Sequence, residues 1–422
     1  MSAPPPGPQA TSTPASAEPE RAAAQPAGDP PKARLIVFTL WLLVFSSASQ
    51  TMIISPILPI IGEQLGIADA ALGTLVTAYS LMVGICAILA GPVSDRIGRR
   101  RILLLGSGAM TVALALHGLA SGYASFLAVR ALAGGAGGIL SGAAVSYVGD
   151  WFPYRRRGWA TGWVMSGSAV GQIVGIPLGV VLAGRWGVEA PFYVFAVTMT
   201  ATFALVFLGL PQPPVRRSAH PVTVAGAARD YAAMLRRPEV AWAAAAYFLV
   251  FLGMGVFMVY LPTWLERDLG ITADQIATMY LLGGVANVVT GPQAGRLSDR
   301  VGRRGIILLA SAGLAALMLL TVPLVTGLVA AYVVFVLAMV LIAMRVSPFS
   351  ALLTALVRDE RRGSLMSLTV ALGQLGFALG GGLAGPLFAR GYGSNALLGA
   401  VSVLAMGLIV RLRLPEPRGE GG

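Results

Sequence analysis

Apolar residues in this chain gather into twelve blocks separated by short charged stretches. They lie near 35–60, 72–92, 102–121, 125–148, 160–183, 191–210, 239–264, 275–294, 305–325, 327–351, 364–387 and 394–412. Each is about 20 residues long, enough for a helix to cross a hydrocarbon layer ~30 Å thick. Backbone in lipid must bond to itself, so uninterrupted runs of this length predict helices. The expected fold is an all-α polytopic membrane protein with twelve transmembrane helices (spans 1–12).

Composition agrees: 11% of residues are charged against ~25% in soluble domains, and the mean hydropathy is +0.76. The net charge of +12 raises the question of a nucleic-acid partner. With twelve spans and the N-terminus inside, 25 of the 30 basic residues fall on one face. Arg185, Arg267 and Arg390 lie on the other, and Arg130 and Arg345 lie within spans. That is the positive-inside asymmetry, so the basic balance needs no nucleic acid. It places the chain in the cytoplasmic (inner) membrane with both termini in the cytoplasm. Residues 1–34, rich in Pro and Ala, read as a disordered tail, and 414–422 as a second tail. The lone Cys86 and two histidines leave no metal cluster and no disulfide.

Two polar stretches break the pattern in the same way. GPVSDRIGRRR at 91–101 returns as GRLSDRVGRR at 295–304, an offset of 204. Leu65-Gly66-Ile67 matches Leu269-Gly270-Ile271, Arg157-Gly158 matches Arg362-Gly363, and Gly171 and Gly175 match Gly376 and Gly380. The chain therefore reads as two copies of one six-helix unit, 35–210 and 239–413. The linker at 211–238 sets Val224, Ala227, Tyr231, Met234 and Leu235 near one helical face. It predicts an amphipathic helix on the inner membrane surface.

These residues resemble the major facilitator superfamily, whose hallmark loop G-x-L-a-D-R-x-G-R-[RK] follows spans 2 and 8. Gly91, Asp95, Arg96, Gly98, Arg99 and Arg100 fit the first copy, with Val93 for the usual leucine. Gly295, Leu297, Asp299, Arg300, Gly302, Arg303 and Arg304 fit the second. The resemblance implies alternating access, with one site between the two bundles. It also implies that these loops latch the bundles at the inner face when the cavity opens outward. Gly91, Asp95, Arg96, Gly98, Arg99, Asp299, Arg300 and Gly302 are thus gating candidates. Asp150, beside Arg155 to Arg157, is expected to join that inner gate.

In span 5, Gly167, Gly171, Gly175 and Gly179 recur every four residues, a stripe that lets two helices approach closely. Gly162, Gly171, Gly175 and Gly179 with Pro177 also resemble the antiporter signature of the family, although the proline is one place late and Val180 replaces the last glycine. That resemblance implies export. Arg130, Gly134 and Gly137 in span 4 resemble a second family pattern, R-x3-G-x-G, tied to proton transfer. An arginine does not release its proton, so it could only tune a carboxylate or hold an anion.

No Asp or Glu lies within a span except Glu239 at the inner edge of span 7, so the carboxylate that many proton antiporters carry in span 1 is missing. Span 1 offers Ser46, Gln50, Thr51 and Ser55 instead. Arg130 lies close enough to the outer end of span 4 to snorkel outward. Arg345, halfway along span 10 before Ser347 and Pro348, faces either a cavity or the carbonyls that the proline frees. His117 reads as an interfacial or packing residue. Gln172, Asn287, Gln374 and Tyr260 complete the candidate substrate contacts with Gln50, Thr51, Arg130 and Arg345. Met254, Phe257 and Met258 read as packing or pocket lining in span 7.

The expected function is proton-coupled export of a small drug-like or sugar-like compound by a monomer, with the proton gradient and no cofactor as its energy source. The alternative is a facilitator or uptake symporter for an anionic or polyhydroxylated solute, favoured by the buried arginines. A non-transporting receptor is a remote alternative, and an enzyme lacks a nucleophile–base pair or metal ligands at depth.

Overall fold

The structure is a computed structural model and describes residues 32–213, 224–355 and 362–414. Among these residues every regular element is a helix. The N-terminal half comprises Ala33–Met52 with Ile54–Leu65 (span 1), Asp69–Ile97 (span 2), Arg99–Leu116 (span 3), Tyr123–Leu140 with Ala143–Trp151 (span 4), Tyr154–Val170 and Ile176–Trp186 around a wider π turn at Gly171–Gly175 (span 5), and Glu189–Gly209 (span 6). After the linker helix Val224–Leu235 come Pro238–Met258 with Leu261–Leu269 (span 7), Ala273–Val301 (span 8), Arg303–Leu324 (span 9), Leu328–Ala355 (span 10), Arg362–Phe388 (span 11) and Tyr392–Arg413 (span 12).

The helices match the apolar runs to within two turns. Eleven are long and apolar enough to cross a bilayer by length and composition. Span 8 has the length, 29 residues, but breaks its apolar run with Asn287, Thr290 and Gln293. The protein is an all-α, multi-pass membrane protein. Helices alternate in direction, so the linker and both SDR loops share one face. We call it the linker face and its opposite the distal face.

Two breaks follow from proline chemistry. Pro56 and Pro262 donate no amide hydrogen and crowd the carbonyl four residues earlier. Those carbonyls belong to Met52 and Met258, the last residues of the first segments of spans 1 and 7. Pro177 stands in the same relation to Ile173, inside the π turn of span 5.

Glycines set the packing within each half. A Cβ on Gly167 would lie 2.6 Å from the Trp41 carbonyl oxygen, on Gly171 3.0 Å from that of Phe45, and on Gly179 2.6 Å from Ile53 Cγ2. On Gly175 it would collide with Ser49. The whole stripe is the seam between spans 5 and 1. The matching Gly376 and Gly380 press on the carbonyls of Phe248 and Leu252 in span 7.

The halves meet along two further seams. Span 2 crosses span 11 where Gly73 abuts Gly381, and Gly84 faces Ala371 and Gln374. Span 5 meets span 8 where a Cβ on Gly284 would lie 3.3 Å from the backbone of Gln172 and Ile173. The linker helix exists, but its inward face does not simply lie on lipid. Met234 is buried against Val240 and Leu365, at the linker ends of spans 7 and 11.

Candidate functional site

Three of the predicted residues converge on one that the sequence did not single out, Tyr79 in span 2. Gln50 Nε2 donates to the Tyr79 hydroxyl at 2.8 Å and to Thr51 Oγ1 at 3.1 Å. Thr51 commits its one hydroxyl hydrogen to the Ser47 carbonyl at 2.7 Å, so it accepts from Tyr79, also at 2.7 Å. Arg130 lies over the Tyr79 ring, its Cζ 4.3 Å from the centroid. The spacing of Arg130, Gly134 and Gly137 now has a structural cause. A Cβ on Gly134 would strike the Tyr79 carbonyl, and one on Gly137 would sit 2.8 Å from the Tyr79 hydroxyl. The two glycines seat span 4 on the tyrosine beneath the arginine.

Arg130 does not snorkel. Its side chain is 0% exposed, and its three guanidinium nitrogens have no hydrogen-bond partner among the described residues. Gly134 and Gly137 draw span 4 so close to span 2 that the guanidinium is held on the tyrosine ring. Gln50 Oε1, also buried, lacks a partner as well. Arg345 in the C-terminal half is likewise 0% exposed with three unpartnered nitrogens. Nearby, Asn287 Nδ2 donates to the Met339 carbonyl at 3.2 Å and joins span 8 to span 10. His117 packs as a ring: it stacks on Phe192 at 3.9 Å, and its Nδ1 bonds the Ala113 carbonyl at 2.8 Å.

Tyr260 is elsewhere, at the distal junction of the halves. Its hydroxyl donates to the Asp69 carbonyl and accepts from the Gly73 amide at 2.8 Å, both in span 2. It is fully engaged in joining the halves, since Pro262 breaks span 7 beside it and turns the ring into span 2. The Met258 carbonyl freed by the same proline accepts from Ser55 at 2.8 Å, and Ser55 also reaches the Val259 carbonyl at 3.0 Å. Thr77 donates to the Ala378 carbonyl at 2.6 Å, and Arg267 pairs with Asp69. Ser55, Asp69, Thr77 and Arg267 form this latch with Tyr260. The sequence names Ser55 and Tyr260 among its polar candidates but does not show that they meet the other half. Gln172 and Gln374 sit at the two lateral seams, half-buried.

On the linker face Gly98 and Gly302 take φ of 96° and 102°, the left-handed region that favours glycine, and turn the chain between helices. Arg99 Nε meets Asp150 at 2.7 Å and its NH1 meets Ser94 Oγ at 2.7 Å, tying the start of span 3 to the end of span 4. Asp150 thus pairs with Arg99, on the neighbouring helix end. Asp299 binds Arg303 at 3.0 Å one helical turn away, and Arg303 also reaches the Ala351 carbonyl at 3.2 Å. The described contacts of Asp299 stay within its own half. Arg96 and Arg300 are exposed. The side chains of Gly91 and Asp95 lie outside the described residues.

Two parallel six-helix repeats, meeting at seams and carrying buried polar clusters, are the architecture of a secondary transporter. The sequence profile of the Major Facilitator Superfamily matches residues 40–381 and 243–422. The chain belongs to the Major Facilitator Superfamily and is an MFS transporter. It is 25% identical over 374 residues to the MFS-type transporter YceJ of Bacillus subtilis (strain 168), covering 86% of this chain and 93% of that protein. It is 28% identical over 282 residues to the multidrug resistance protein MdtG of Klebsiella pneumoniae (strain 342), covering 64% and 67%. The fold also matches the crystal structure of a D-xylose-proton symporter with a TM-score of 0.73 at 19% identity, over 92% of this chain and 99% of that one.

Proposed function

We propose that this protein exports a small organic compound by alternating access, driven by the proton gradient. It works as a monomer in the cytoplasmic membrane, with both termini and the linker face in the cytoplasm. Its partners are the solute, protons and the lipid bilayer. The observation that carries this reading is the distal latch of Ser55, Asp69, Tyr260 and Arg267, a set of polar bonds joining the two bundles at their distal end. Such bonds exchange for water at modest cost, as a gate requires.

The direction rests on the glycine stripe of span 5 and on similarity to proteins named for multidrug resistance. A second reading, a facilitator or uptake symporter for an anionic or polyhydroxylated solute, is favoured by the confinement of every acid to the ends of the apolar blocks and by the buried Arg130 and Arg345.

The test uses the full chain in liposomes, with spin labels on the distal ends of spans 2 and 7. An exporter shows exchange between distal-closed and distal-open populations, and its measured solute flux responds to an imposed pH gradient. Flux indifferent to that gradient would remove proton coupling. A distal end that never opens would remove alternating access.

A further inference from the structure

We infer that Arg130, seated on Tyr79 beside Gln50, is a receptor for the carboxylate of the transported solute, which makes the substrate an organic anion. This inference rests on the transporter reading above and deepens it.

One face of Arg130 is covered by the Tyr79 ring. A cation stacked on an aromatic ring uses its face and leaves its in-plane N–H edges free. Those edges are what a carboxylate engages, through two parallel hydrogen bonds. In this structure all three nitrogens are buried and unpartnered among the described residues.

Among the described residues, the acids on spans 2 and 4 are distant or already paired. The nearest acid on span 2 toward the distal face is Asp69, ten residues or ~15 Å of helix from Tyr79, and it is paired with Arg267. On span 4 itself the acid is Asp150, twenty residues away and paired with Arg99. A buried charge without a counter-ion is destabilising. A packing role alone would be served better by an apolar residue of similar volume.

The platform is also fixed in advance. The hydroxyls of Tyr79 and Thr51 have all their hydrogens assigned, the latter to Ser47, so the ring cannot turn without breaking bonds. Gln50 Oε1 remains as a free acceptor at the same node. It suits a hydroxyl or N–H next to the carboxylate. A lipophilic cation would meet like charge here, and a neutral sugar would leave the guanidinium uncompensated.

The probe is benzoate, with benzamide as its neutral isostere and chloride as an inorganic anion, each added to the purified full chain at constant ionic strength. Melting temperature is the readout, since a ligand of the folded state raises it by mass action. Benzoate is expected to raise it above both controls. In Arg130→Gln the apparent affinity for benzoate should fall at least tenfold, and in Arg390→Gln, at an exposed distal loop position, it should change less than threefold. Arg130→Lys keeps the charge, loses the planar fork, and should retain an intermediate response, which separates recognition from simple misfolding.

Equal responses to benzoate and benzamide overturn the inference, as does a benzoate response that survives in Arg130→Gln. A chloride response as large as that to benzoate also overturns it, in favour of an inorganic anion. The distal labels are read on the same preparations. If wild type never opens, the transporter reading fails. If it opens and benzoate does not stabilise it, only the anion assignment fails.

Discussion

The hydroxyl of Tyr260 occupies the first turn of span 2, where it accepts from the Gly73 amide at 2.8 Å and donates to the Asp69 carbonyl. Residues 69 and 73 are the pair that an α-helix would bond to each other. A side chain from one half thus docks on the first backbone turn of a helix in the other. Tyr260→Phe keeps the ring contact with Phe388 at 5.1 Å and removes both bonds. At ~0.5–1.5 kcal/mol for each net hydrogen bond, the loss of two should raise the distal-open population by roughly five- to a hundredfold. Distances between spin labels at the distal ends would report it, and an unchanged distribution would remove Tyr260 from the gate.

The ion pair between Asp69 and Arg267 should contribute less. The side chains are 30% and 37% exposed, so water screens them and such a pair is worth ~0.2–1 kcal/mol. The informative experiment is a cycle of Asp69→Asn, Arg267→Gln and the double variant. Each single change is expected to favour distal opening, and the double variant to open no further than either alone. High salt should mimic the single variants. Strict additivity of the two changes would show that they act apart.

Much of this architecture was legible because membrane helices announce themselves locally. The apolar runs, the repeated SDR loop, and the Gly98 and Gly302 turns depend on residues close in sequence. The breaks at Met52 and Met258 follow from Pro56 and Pro262 by the same local rule. What was not legible were meetings between distant residues. Tyr79 is an ordinary aromatic in an apolar run, and neither charge nor periodicity marks it as the platform for Arg130. Asp69 and Arg267 sit at the distal ends of spans 2 and 7, and only the docking of the halves brings them together. Arg130 itself was visible, but its depth was misread, because helix position alone does not show how closely Gly134 and Gly137 draw span 4 onto span 2.

The glycine seams predict two kinds of failure. Gly175→Ala pushes a methyl group into the Ser49 side chain, whereas Gly376→Ala pushes one into the Phe248 backbone carbonyl. Overpacking of this sort costs ~1–3 kcal/mol, so both variants should melt earlier than wild type. Ser49→Gly removes the obstructing atoms and leaves Ser49 Cα 3.3 Å from the new methyl carbon, so it should restore much of the stability of Gly175→Ala. No side-chain change at Phe248 should rescue Gly376→Ala. Melting temperatures of the four proteins decide the matter, and rescue in both cases would mean that the second seam is looser than the structure indicates.

Arg345 offers the sharpest separation of stability from function. Its guanidinium is wholly buried with no partner among the described residues. Replacing a buried charge by a flexible apolar side chain of similar length is commonly neutral or stabilising by ~1–4 kcal/mol. Arg345→Met should therefore melt no lower than wild type. If the arginine serves the transport cycle, the same variant should lose flux or solute affinity, so that stability and activity move in opposite directions. If instead it clamps carbonyls beside Pro348, the variant should melt several degrees lower, because those carbonyls would be left unsatisfied. Measuring melting temperature and flux on one preparation distinguishes the two roles.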